Sequence, residues 1–284
     1  MNEPQHVYDA DYQVNPETGV LERTQSRTAG RVRRLLGPLL VIIGILAKIK
    51  WIMIPLQFLK GLPFLAPTLT ALVSIGAYAL AFGWQFGVGL VAMIFVHEMG
   101  HVAVLRRYGI RASAPIFIPF LGAIIGMRQL PRDAVMEAYV GLGGPVLGSL
   151  GAFAALSFYF AHGHPIWLAL AYIGILLNLF NLLPLLPLDG GRVVGAVSQW
   201  MWGLGVVGLI AFMFFRPTPI LILILVFASM EFMQVWRRRR INPEYYQVPL
   251  RQRATIAGIY FGLIAILGVS MHEVNLIMQG LRVM

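Results

Sequence analysis

The chain has 284 residues, 58% of them hydrophobic and only 12% charged. A water-soluble domain carries roughly 25% charged residues, so a soluble globule, a disordered chain and a solvated coiled coil are excluded. No cysteine is present, which removes disulfides, thiol nucleophiles and cysteine-ligated metals. The net charge of +10 lies at the ends of apolar runs, as in membrane topology, and not in a patch suited to nucleic acid.

Residues 1–34 form a polar tail with no apolar secretory core. It contains a turn-like Asn15-Pro16-Glu17-Thr18-Gly19 stretch, compatible with a short hairpin or with no fixed structure. Residues 35–62 are apolar runs interrupted by Lys48, Lys50 and Lys60. They read as interfacial or re-entrant segments, because a span through Lys48 and Lys50 would hold charge at the bilayer centre.

Spanning helices need about 20 apolar residues. The first two are predicted at 64–83 and 86–106, the second ending at Arg106-Arg107. Ala114–Phe120 and Ala123–Met127 are too short to span and read as two strands. Pro115 and Pro119 cannot donate to a ladder, so the first would be an edge strand. Further helices are predicted at 136–161, 165–183, 193–215, 218–236 and 254–271, with Pro184 and Pro187 breaking the fourth and Arg237–Arg240 closing the sixth. The expected fold class is an all-α polytopic membrane protein with about seven spanning helices and a small β-hairpin between the second and third. Its parts are a polar tail (1–34), interfacial segments (35–62), a core (63–192) and C-terminal membrane helices (193–284).

Charge sets the expected orientation. With the N-terminus in the cytoplasm and 35–60 returning to its own side, all Lys and Arg residues except Arg216 and Arg282 fall on the cytoplasmic face.

The second predicted helix contains His97-Glu98-Met99-Gly100-His101. Histidines at i and i+4 lie about 40° apart on one helical face, about one turn of rise between them, so both imidazoles can reach one zinc ion. Glu98 sits where it can reach a water rather than the metal. This is the H-E-x-x-H pattern of metallopeptidases. Core polar residues would be the bland alternative, but ionisable groups inside a span are costly and default to function. A catalytic zinc takes a third protein ligand and leaves one position open. Asp189 follows a proline-broken stretch, Asn181-Leu182-Leu183-Pro184-Leu185-Leu186-Pro187-Leu188, on the same side as His101, and is the candidate third ligand. A turn or helix N-cap before Gly190-Gly191 is its other possible role.

H-E-M-G-H in one span and N-L-L-P-L-L-P-L-D-G after a later one resemble the site-2 protease family of intramembrane zinc metalloproteases, over about residues 64–192. The resemblance implies one zinc per chain on His97, His101 and Asp189, with Glu98 as general base. Asn181 matches the family asparagine thought to position substrate or stabilise the oxyanion; a helix-ending cap is its alternative. Asn178 reads as interhelical hydrogen-bonding glue. Gly143-Gly144-Pro145 resembles the family's glycine-proline motif, but Gly148 stands where the family often has asparagine. Gly141, Gly144, Gly148 and Gly151 form one small-residue face suited to packing the metal-bearing helices.

No stretch is long or polar enough for the PDZ or nucleotide-sensing domains of larger members. The expected partners are the lipid bilayer and a membrane-protein substrate, with no nucleic acid. The function expected is cleavage of transmembrane segments by water activated at zinc with Glu98. A divalent-metal transporter and a non-catalytic zinc-containing scaffold are the alternatives. Transporters often carry internal repeats, and none is detectable here.

Overall fold

The computed structural model describes residues 12–14, 21–23, 65–198, 200–215 and 219–283. The interfacial segments expected at 35–62 lie outside the described residues.

In the tail, β1 (Tyr12–Val14) pairs antiparallel with β2 (Leu21–Arg23), Tyr12 opposite Arg23. The hairpin option is therefore the one adopted. The membrane part begins with α1 (Leu65–Phe82) and α2 (Trp84–Arg107). Gly83 separates them at φ 89°, a left-handed value that glycine adopts without strain. Tyr108 closes α2, with Arg106 and Arg107 in its last turn, where cations offset the helix dipole.

The short runs between the second and third helices form β3 (Ile116–Ile118) and β4 (Gly122–Ile124), an antiparallel pair with Phe117 opposite Ala123. Helix α1 supplies hydroxyls to β3 and to the turn that follows it. The Phe117 N–H donates to Thr70 Oγ1 at 3.2 Å, and the Phe120 N–H donates to Tyr78 Oη at 3.0 Å. The outer edge of β3 is thus occupied by a helix rather than free, and β4 carries the open edge.

Helix α3 (Ala134–His162) starts at Asp133, whose carboxylate accepts the Met136 N–H at 2.7 Å, and Gly163 ends it in the left-handed region. Helix α4 (Pro165–Asn181) opens with proline at its first position and stops before the proline-rich 182–188 stretch. Helices α5 (Asp189–Val197), α6 (Trp200–Phe215), α7 (Pro219–Ile241) and α8 (Leu250–Val283) complete the chain.

One expectation needs adjusting. The helix expected at 193–215 is two helices: α5 begins earlier, at Asp189, and stops at Val197, where Ser198 is extended (φ −161°). Hydropathy dips there only over Ser198-Gln199, too briefly to end a predicted span. Four helices among the described residues are long and apolar enough to cross a membrane: Leu65–Phe82, Trp84–Arg107, Ala134–His162 and Leu250–Leu281. Pro165–Asn181, Trp200–Ala211 and Ile224–Val235 are shorter apolar stretches among the described residues, the last of them inside the 23-residue α7.

One core cluster joins α3, α4, α5 and α8 through Ala138, Ile175, Val193, Ile256, Tyr260 and Val274. The outward faces are apolar too: Leu80 is 93% exposed and Phe214 85%. Such surfaces are stable against lipid tails and not against water. Outside the apolar helices, Tyr245 donates to Glu137 Oε2 at 2.8 Å, tying the α7–α8 connection to the start of α3. Burial and then the Glu137 carboxylate push the Tyr245 phenol above its ordinary pKa.

Candidate metal centre

The i, i+4 spacing places His97 and His101 on one face of α2, and both are buried. That face meets α3 where both helices are bare. A Cβ on Gly143 would lie 2.6 Å from the Gly100 carbonyl oxygen. A Cβ on Gly144 would lie 2.7 Å from His97 Nε2 and collide with His101. The expected glycine face therefore admits the histidine rings themselves. Asp189 opens α5 and is buried beside them. A Cβ on Gly190 or Gly191 would strike the backbone of Leu182 or Leu185, so the glycine pair lets α5 tuck under the 182–188 stretch.

Three atoms converge. His97 Nε2 lies 3.1 Å from Asp189 Oδ2, His101 Nε2 lies 3.2 Å from the same oxygen, and the two nitrogens are 3.2 Å apart. The protons are turned outward. His101 Nδ1 is 2.7 Å from the Val140 carbonyl oxygen, which can only accept, so Nδ1 carries the hydrogen. His97 Nδ1 is 2.9 Å from Asn178 Oδ1, and the Asn178 amide is oriented by Nδ2 donating to the Gly174 carbonyl at 2.7 Å. With both Nδ1 atoms protonated, both Nε2 atoms present lone pairs to a carboxylate oxygen. Three acceptors face to face repel unless a cation or an added proton lies among them. Bonds of 2.0–2.1 Å to a tetrahedral cation imply ligand–ligand edges of roughly 3.3 Å. The donor set and its spacing fit a divalent cation.

The cluster borders a cavity of about 690 Å³. Glu98, half-buried, lines it one residue from His97. Asn181 lines it from the end of α4, with one amide hydrogen donated to the Leu177 carbonyl at 3.1 Å. It thus ends its helix and faces the cavity at once. Gly122 to Ile125 of the hairpin form another wall, and Arg192, one turn after Asp189, also reaches the cavity. Asn178 is the neighbour that sequence reasoning placed least well. It does bridge helices, but to His97 itself. Its signal was a primary amide in an otherwise apolar helix face. Glu231, His162, His164 and His272 do not line the cavity.

These features define a polytopic helical membrane protein with a buried His–His–carboxylate cluster at the edge of an internal cavity. Residues 161–206 match the model of peptidase family M50. That range contains Asn181 and Asp189; His97, Glu98 and His101 precede it. The chain is 29% identical over 119 residues to the zinc metalloprotease MJ0392 of Methanocaldococcus jannaschii, covering 40% of this chain and 34% of that protein. It is 33% identical over 141 residues to a protein of Mycobacterium tuberculosis named as a zinc metalloprotease, Rip3, covering 45% of this chain and 35% of that protein. The matches thus span about a third of these relatives' length. The resemblance drawn from the two sequence motifs is borne out, and the chain is an integral membrane protein.

Proposed function

We propose that the chain is a zinc metallopeptidase that cleaves transmembrane segments of membrane-protein substrates. One zinc per chain would be held by His97, His101 and Asp189. The observation that carries this reading is the triangle formed by His97 Nε2, His101 Nε2 and Asp189 Oδ2, with edges of 3.1 to 3.2 Å, on the wall of a cavity that also holds Glu98. The metal named for the relatives supports zinc over other divalent ions.

Zinc, when bound, supplies Lewis acidity: it polarises a carbonyl and lowers the pKa of a water. The chain's own residues do the rest. Glu98 takes the proton from the attacking water and returns it to the leaving amine. The Asn181 amide hydrogen that is not committed to Leu177 donates toward the developing oxyanion. Arg192 adds positive charge to the same wall.

A substrate helix must unwind before its carbonyl is accessible, because a helical backbone is already hydrogen-bonded. Strand β4 offers the exposed segment a place. The Phe117 N–H points to Thr70, so Phe117 and Ala123 exchange no ladder bonds, and Ala123 turns its N–H and C=O away from β3. Ala123 lines the cavity. An extended substrate segment added to that edge would lie within the cavity that holds the cluster. Charge asymmetry supports a cytoplasmic N-terminus and a cavity that opens to the cytoplasm.

A transit site for metal ions would need the three donors but not Glu98, and a structural zinc would leave no reason for a cavity of this size. The discriminating experiment uses purified wild type and Glu98→Gln, with zinc measured by elemental analysis and cleavage followed on a membrane-protein substrate. Glutamine matches glutamate in size but cannot take the proton. Both proteins should hold one zinc per chain, and only the wild type should cleave. Cleavage by Glu98→Gln at the wild-type rate would remove Glu98 as the base.

A further inference from the structure

We infer that Asn178 is a positioning residue that fixes the tautomer and ring orientation of His97, and that Gly148 on the facing helix exists to leave room for its amide. The inference rests on the metal reading above. The two histidines are oriented by different means. His101 leans on the Val140 backbone carbonyl, an acceptor that substitution of a side chain does not delete. His97 leans on a side chain from another helix, Asn178 Oδ1 at 2.9 Å.

The Asn178 amide is itself held at both ends. Its Nδ2 donates to Gly174 O one turn earlier, leaving Oδ1 no orientation but toward His97. Asn178 is 3% exposed. Burying a primary amide inside an apolar helix is unfavourable unless its groups are paired, and a leucine of similar size would pack there without that cost. The facing helix accommodates the amide: a Cβ on Gly148 would lie 2.9 Å from Asn178 Nδ2 and closer still to Oδ1. Helix α3 therefore lacks a side chain just where the amide must sit. Partners of this kind hold a ligating imidazole at the angle its metal requires.

The test measures zinc affinity of the full chain in detergent by chelator competition, with thermal unfolding of the metal-free protein as a check on folding. Asn178→Leu, which keeps bulk and removes the acceptor, should weaken zinc by about 10- to 100-fold. Asn178→Asp, which keeps an acceptor, should stay within about threefold of wild type. A role in packing alone predicts the reverse order. Wild-type affinity in Asn178→Leu, or an equal loss in Asn178→Asp, overturns the inference. Gly148→Ala provides a second route if the leucine variant fails to fold. It should weaken zinc about tenfold in wild type but less than about twofold in Asn178→Ala, where no amide is left to displace. Equal losses in both backgrounds overturn the inference. A wild type that binds no zinc overturns the metal reading and this inference together, whereas the other failures remove the inference alone.

Discussion

Gly144 sets how closely α3 can approach the histidine pair. Its missing side chain is filled by the His97 and His101 rings, so any Cβ there must push at least one Nε2 out of the triangle. Gly144→Val should lower bound zinc at least about tenfold, a loss comparable to that expected when the support of a ligand is removed. Gly258→Ala is the matched control, since a Cβ there meets nothing within 4 Å, and it should leave zinc unchanged. Elemental analysis of the two purified variants decides the matter. Asp189→Ala should lose zinc as well. Full occupancy in that variant would remove Asp189 from the ligand set.

Helices α6 and α8 hold the segment that delivers Asp189. Tyr260 donates to the Leu182 carbonyl and Trp202 Nε1 to the Gly191 carbonyl, each at 2.6 Å, and both are buried. The two bonds bracket the 182–191 stretch, which is poor in regular hydrogen bonding of its own because of Pro184 and Pro187. Losing the Tyr260 bond leaves the buried Leu182 carbonyl unpaired, at a cost of about 1 to 3 kcal/mol, whereas the Gly191 carbonyl sits within α5 and losing its extra bond to Trp202 costs about 1 kcal/mol. Tyr260→Phe and Trp202→Phe should each lower the thermal stability of the zinc-free protein and speed zinc dissociation. The double variant should fall short of the sum, because both restrain one segment. Unchanged dissociation rates in both single variants would show that the C-terminal helices do not support the site.

Across the whole molecule, the basic residues and the apolar surface together set how the protein sits in a bilayer. Arg106 ends α2 and Arg192 lies on α5 beside the cavity, whereas His162 ends α3 at its other end. The chain has no cysteine, so single cysteines report without background. Arg106→Cys and Arg192→Cys should react with an impermeant thiol reagent only from the cytoplasmic face, and His162→Cys only from the opposite face. Labelling of His162→Cys and Arg192→Cys from the same side would refute the proposed topology.

Local patterns carried much of this protein into view. Apolar run length marked α1, α2 and α3 to within two residues at each end, because a bilayer core imposes a length that composition records. The i, i+4 spacing put His97 and His101 on one face of a single helix, where helical geometry alone brings them together. Prolines at 184 and 187 marked the end of α4 in the same way. What no local pattern holds is which side chains meet across helices. Asp189 lies 92 residues from His97, and Asn178 lies 81. Their arrival depends on how closely backbones pass at Gly100, Gly143, Gly144 and Gly148. The break at Ser198 was hidden because the polar Ser198-Gln199 pair is too short to end an apolar run, and hydropathy does not register a change of direction. Helix period and span length are properties of a segment, read directly from its residues. The pairing of His97 with Asn178 rather than with Asn181, and the closing of three donors into one triangle, are properties of packing, which only the tertiary structure decides.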